Sequence, residues 1–122
     1  MALKDLDTFF HPDLTLPIRG KWYRVPSPDG IEGPRLRAVI ADSGLPAVEQ
    51  TDEAVKVLGP SFAEMVDDKV PWTMILHAGR TALLHYGFSP DMAEIHWAMA
   101  QLGRLVDLER VSELLATPPN KK

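Results

Sequence analysis

Residues 71–91 read PWTMILHAGRTALLHYGFSPD, and this stretch decides the class of the fold. Its apolar residues recur at the spacing of one helix face, which predicts an amphipathic helix: Trp72, Ile75, Leu76, Leu83 and Tyr86. Pro71 suits the first turn of such a helix, and Gly87 suits its end. Gly79 falls on the same stripe, where it either weakens the helix by about 1 kcal/mol or marks the close approach of a neighbouring helix.

Further helices are predicted on both sides of this stretch. Downstream, residues 89–91 are typical of a helix cap followed by a proline in the first turn. Gly103 is expected to separate that helix from a last one, whose apolar residues are Leu105, Leu108, Val111 and Leu115. Upstream, residues 44–51 are predicted to form a loop. Three shorter helices are also predicted: one from Pro34, one capped by Thr51 or Asp52, and one that starts at Ser61.

The segment before the helices has the pattern of a β-hairpin. Residues 14–18 alternate apolar and non-apolar side chains, and a second short strand follows at 22–25. A two-residue turn at Arg19-Gly20 sets three pairs opposite each other: Ile18 with Lys21, Leu16 with Tyr23, and Leu14 with Val25. Pro17 has no amide hydrogen to donate, which places its strand at an edge or turns that position away from the partner.

These patterns predict a mainly α fold with a small N-terminal β-hairpin (α+β). The expected architecture is about five helices in one compact domain over residues 1–117, with the hairpin at about 14–25 and the helical region at about 34–116. Residues 118–122, PPNKK, are expected to form a flexible tail.

Composition narrows the classes of function. The net charge is −4, and no basic run occurs before Lys121-Lys122, so nucleic acid is not an expected partner. The chain has no cysteine, which excludes disulfides and thiolate chemistry. Its apolar runs fall short of the ~20 residues that span a bilayer, and its start does not resemble a signal peptide. We therefore expect a cytoplasmic protein with no membrane partner.

Reactive residues do not form a recognisable catalytic or metal-binding pattern. His77 and His85 stand about 12 Å apart along a helix, too far to share one metal ion. The chain lacks a phosphate-binding glycine loop and a nucleophile elbow. The carboxylates Asp67 and Asp68 are interpreted as a solvated turn. We expect no catalytic residue, no metal and no cofactor, and hence a protein that is not an enzyme.

One enzymatic alternative remains open. Arg80 followed by His85 on a helix resembles the signature of HEPN-like ribonucleases, in which arginine stabilises a developing phosphate charge and histidine acts as general acid or base. Thr81 departs from that signature, because those enzymes usually carry Asn, Asp or His after the arginine. The negative net charge also disfavours an RNA substrate.

Large adaptable side chains point to protein binding instead. Methionine lets an apolar surface fit varied partners, and tryptophan is a frequent interface anchor, although both also serve as core residues. An unpaired edge of the hairpin offers a further contact. The candidate partner-binding residues are Trp22, Tyr23, Met65, Trp72, Met92, Trp97 and Met99.

Several motifs resemble a known family. The first group is FF at 9–10, DLTLPIRGK at 13–21 and YRVPSPD at 23–29. The second group is LGP at 58–60, EMVDDKVPW at 64–72, HAGRTA at 77–82 and AEIHW at 93–97. In order and spacing they resemble the tail assembly chaperones of tailed phages of actinobacteria. The resemblance covers about the first hundred residues and ends at Ala98.

The resemblance implies a function without catalysis. Such chaperones bind the tape measure protein, a long helix-rich chain, and keep it soluble while the tail tube assembles around it. The chain resembles the short form, while a longer frameshifted form of such proteins recruits tail tube subunits. The tail tube protein and further copies of the chain are the other expected partners. The alternative of a different class is a structural head–tail connector or tail terminator in the virion.

Overall fold

The computed structural model describes residues 2–105. It confirms the predicted class, because within these residues a two-stranded antiparallel sheet precedes five α-helices. The predicted last helix beyond residue 105 and the tail at 118–122 lie outside the described residues. The strands are β1 (Leu14–Ile18) and β2 (Lys21–Val25), and the helices are α1 (Glu32–Ser43), α2 (Thr51–Leu58), α3 (Pro60–Asp67), α4 (Trp72–Gly87) and α5 (Pro90–Leu105).

The hairpin has the predicted register. Leu14 pairs with Val25, Leu16 with Tyr23 and Ile18 with Lys21. Arg19 and Gly20 both have positive φ values, 53° and 85°, as a two-residue turn of this kind requires. Core-facing and exposed side chains alternate along both strands, so one face of the ribbon packs on the helices and the other faces outward.

Polar groups fasten the open end of the hairpin to the helices. The Tyr86 hydroxyl accepts a hydrogen bond from Leu14 N at 2.8 Å and donates one to Val25 O at 2.7 Å. Ser61 Oγ in α3 donates to Arg24 O. The Tyr86 side chain of α4 thus forms hydrogen bonds with both strands at the open end of the hairpin. These bonds fix the angle of the hairpin on the helices.

A second set of polar contacts holds the turn end of the hairpin. Asp68, just after α3, accepts from Lys21 Nζ at 2.7 Å and from the Tyr23 hydroxyl at 2.6 Å. Glu64 lies 3.0 Å from the same ammonium group. The bonds from Lys21 and Tyr23 lower the pKa of Asp68 below its ordinary value. The predicted solvated turn is therefore a point of attachment for the hairpin.

Helix α4 lies at the centre of the core. Its buried residues contact the hairpin and α3 in one cluster and α1 in another, and α2 and α5 also pack against it. Gly79 is where α2 comes closest, because a Cβ at this position would lie 2.5 Å from Ala54 O. The close-approach reading of this glycine is confirmed, and the helix continues through it.

Four details of the helical region differ from the sequence predictions. The N-cap of α2 is Gln50 instead of Thr51 or Asp52, and the predicted loop contains a 3₁₀ turn at Leu45–Glu49. Ser61 is the second residue of α3 and bonds to the hairpin instead of capping its helix. Helix α5 continues through Gly103 to Leu105, because a single glycine weakens a helix without ending it.

No helix among the described residues has the length and apolar character needed to cross a membrane.

Candidate functional site

A groove runs between the turn end of the hairpin, the first turns of α4 and the middle of α5. Its cavity has a volume of about 610 Å³, within the range of clefts that accept ligands. Arg19 and Glu94 are the charged residues of its wall. The remaining lining is mostly apolar or small: Pro17, Ile18, Thr73, Met74, His77, Trp97, Ala98, Ala100 and Gln101. We call this cavity the hairpin–α5 groove.

A separate apolar surface lies on another side of α5. Ile95 and Met99 are one helical turn apart and are 56% and 54% exposed, and Met92 continues the same row with partial exposure. We call Met92, Ile95 and Met99 the α5 stripe. Apolar side chains at this spacing on an open helix face are the usual arrangement for contact with another helix.

The predicted partner-binding residues divide into three groups. Trp22, Trp72 and Met99 are exposed, and Met92 is partly exposed, so all four are available for contact. Trp97 is partly buried, because it packs against the hairpin side of the core while also lining the groove.

Tyr23 and Met65 require a correction. Both side chains are fully enclosed in the core beneath the hairpin, so neither faces a partner. Tyr23 points inward because of the strand alternation, and Met65 lies on the inner face of α3. Ile95 belongs to the exposed α5 stripe but was not predicted as a contact residue. The signal for Ile95 was its helical spacing from Met92 and Met99.

A histidine pair joins α4 to α5 beside the groove. The rings of His77 and His96 stack with centroids 4.5 Å apart, and His77 Nε2 lies 3.3 Å from Trp97 O. Burial lowers the pKa of His96, and the nearby groups of His77 and Arg80 lower it further, while Glu49 opposes them. The lowered pKa favours the neutral form of His96 at this packed contact between the two helices. Across residues 2–105, His, Asp and Glu side chains do not gather in the threes that hold a metal ion.

Arg80 and His85 lie in different surroundings. Arg80 forms an ion pair with Glu49, at 3.4 Å between its Nη2 and the carboxylate. The His85 ring stands edge-on to Tyr86 and lines a smaller cavity of about 220 Å³ to which Arg80 does not contribute. A guanidinium already paired with a carboxylate is poorly placed to stabilise a phosphate charge. The geometry of the pair therefore adds no support to the ribonuclease alternative.

The fold and these surfaces define a small, mainly α-helical domain whose candidate site is an apolar groove and an exposed helix stripe. The chain belongs to the family described as "Domain of unknown function (DUF7426)", whose model matches residues 4–120. No curated protein and no solved structure matches the chain.

Proposed function

We propose that this protein is a phage tail assembly chaperone that binds the tape measure protein in the host cell cytoplasm and keeps it soluble while the tail tube assembles. It acts by binding and not by catalysis, with no cofactor. The α5 stripe is the observation that carries the proposal, since it presents Ile95 and Met99 on an open helix face. The motifs within residues 9–97 that resemble those of such chaperones are the second support.

The stripe suits a helical partner in both shape and chemistry. An amphipathic helix lays side chains of positions i, i+3, i+4 and i+7 against a neighbour, and residues 92, 95 and 99 offer a matching row. Two of the three are methionines, whose flexible side chains adapt to many sequences. A long partner with many different helical segments requires such tolerance more than it requires one tight fit.

Charge supplies the solubility that a coated partner needs. The chain carries 17 acidic and 13 basic side chains, so each bound copy adds negative charge to the complex. Like-charged complexes repel one another and resist aggregation. The stripe thus covers apolar partner surface while the rest of the domain keeps the assembly dispersed.

Co-expression with the cognate tape measure protein tests the proposal. We expect the wild-type chain to raise the soluble fraction of that protein and to co-purify with it. The double variant Ile95→Asp, Met99→Asp should lose both effects, because it places two charges on the contact row. Ile31→Asp is the matched control, since Ile31 is 82% exposed at the start of α1, away from the stripe.

Two results would overturn the proposal. The first is a tape measure protein that stays insoluble and unbound with the wild-type chain. The second is full activity of the double variant, which would remove the stripe as the contact. Circular dichroism of each variant confirms that a loss of binding does not come from a loss of fold.

A further inference from the structure

The N-terminal arm, residues 3–10, exposes an unusual amount of apolar surface. Leu3, Leu6, Phe9 and Phe10 are 91%, 65%, 58% and 56% exposed. The arm contains one 3₁₀ turn, Leu6–Thr8, which Asp5 caps by accepting a hydrogen bond from Asp7 N. Four large apolar side chains in one short segment form a patch of the kind that marks an interaction site.

The base of the arm is held at the open end of the hairpin. Asp13 accepts from Arg24 Nη1 at 2.7 Å and from Ser27 N at 2.8 Å, which fixes the chain just before β1. The hairpin–α5 groove begins at Pro17–Arg19, at the other end of the same strand. About 3.3 Å of strand per residue separates the two ends by roughly 13 Å. None of residues 3–10 lines that groove in the described part of the chain, and their apolar side chains are exposed instead.

The arm and the groove are complementary in chemistry. The arm offers leucine and phenylalanine side chains, and the groove offers an apolar lining with a volume of about 610 Å³. Arg19 and Glu94 in the groove wall take part in no ion pair within the described part of the chain. The arm carries Lys4, Asp5 and Asp7, which supply charges opposite in sign to Glu94 and Arg19.

We propose that the N-terminal arm of one copy binds in the hairpin–α5 groove of a second copy. The contact is heterologous, because the two copies contribute different surfaces. Each copy keeps one free arm or groove after pairing, so association continues into rings or open chains and does not stop at a dimer. This inference concerns the chain alone and is independent of the proposed chaperone function.

The available area suits a reversible association. Covering the four arm side chains removes on the order of 500 Å² from water, judged from their exposure and the size of such residues. The groove exposes less surface than the arm, so each contact falls below the ~1,200 Å² of standard specific interfaces, in the range of weak and transient association. We expect association that depends on concentration in the micromolar range and above.

Sedimentation velocity of the full chain tests the contact. The wild-type protein should form species larger than a dimer as its concentration rises to about 500 μM, within the range of weak complexes. The arm variant Phe9→Ser, Phe10→Ser and the groove variant Ala98→Glu should each weaken association at least about tenfold. All three substitutions fall on exposed positions, so the fold is retained, and Ile31→Asp is the control that should associate like wild type.

Mixing the two variants gives the sharpest readout. The arm variant keeps an intact groove and the groove variant keeps an intact arm, so an equal mixture should form dimers that do not grow further. A wild-type chain that stays monomeric at high concentration would overturn the proposal, including the case in which the arm occupies its own groove. Association that survives either variant, or a mixture without dimers, would also overturn it.

Discussion

The two halves of helix α4 differ in how deeply their side chains are buried. From Ala78 to Gly87 most side chains are buried, and α2 lies against Gly79 so closely that no side chain fits there. From Trp72 to Met74 the same helix is exposed and borders the hairpin–α5 groove. One continuous helix thus serves as the centre of the core at one end and as the wall of a binding surface at the other. The difference separates residues that make the fold from residues that are free to contact a partner.

The largest effect is expected where the buried half is tightest. Gly79→Ala places a methyl group 2.5 Å from Ala54 O and 2.9 Å from its carbonyl carbon, so α2 must move away from α4. We expect the free energy of unfolding to fall by about 3 kcal/mol, at the upper end of overpacking effects. Chemical denaturation measures the loss.

A second glycine provides the matched control for this substitution. A Cβ at Gly33, in the first turn of α1, meets nothing within 4 Å. Gly33→Ala should therefore raise the free energy of unfolding by up to about 1 kcal/mol, because alanine favours a helix and no neighbour is displaced. Equal losses in the two variants would show that the contact with α2 is not what makes Gly79 necessary.

The second effect concerns the hydrogen bonds by which Tyr86, in the buried half of α4, holds the hairpin. Tyr86→Phe removes the hydroxyl that pairs with Leu14 N and Val25 O, and leaves both backbone groups without that partner. We expect a loss of about 2 kcal/mol in thermal or denaturant unfolding. Tyr23→Phe is the comparison, because Asp68 keeps its bond to Lys21 there and the loss should be about 1 kcal/mol or less. If Tyr23→Phe lowers the free energy of unfolding more than Tyr86→Phe does, the Asp68 contact and not Tyr86 is the stronger attachment of the hairpin.

The third effect is a pH dependence of stability at the contact between His77, which lies between the two halves of α4, and His96 in α5. The pKa of His96 in the folded chain lies below its ordinary value of 6.5, because of burial and then of His77 and Arg80. The unfolded chain therefore takes up a proton more readily. The resulting stability is complete above about pH 6.5 and is lost as the pH falls through the lower, folded pKa.

Thermal melts between pH 7.5 and pH 5 measure this dependence. We expect the Tm to fall over that range and His96→Gln to reduce the fall. Part should remain, because burial also lowers the pKa of His85. His11→Gln, in an exposed segment, is the control and should leave the slope unchanged. A slope that His96→Gln does not alter would remove the histidine pair as its cause.

Local sequence signals predicted much of the fold and less of the site. Gly20 and the strand alternation act over a few residues, so the hairpin register was correct. The role of Asp68 was missed, because its partners Lys21 and Tyr23 lie far away in sequence. Spacing also does not distinguish Met65, which is buried, from Met99, which is exposed, since methionine suits a core and an interface equally. That distinction depends on which helix face meets a neighbour.

The smallest expected effect lies in the open half of α4. Met74→Ala should change the free energy of unfolding by no more than about 0.5 kcal/mol, because the side chain is exposed and alanine favours a helix. Its neighbour Ile75 is buried beneath the hairpin, so Ile75→Ala should cost about 3 kcal/mol. Denaturation of the two variants side by side measures the contrast within one helical turn. If Met74→Ala costs as much as Ile75→Ala, the groove wall belongs to the core, and its side chains are not free for a second chain.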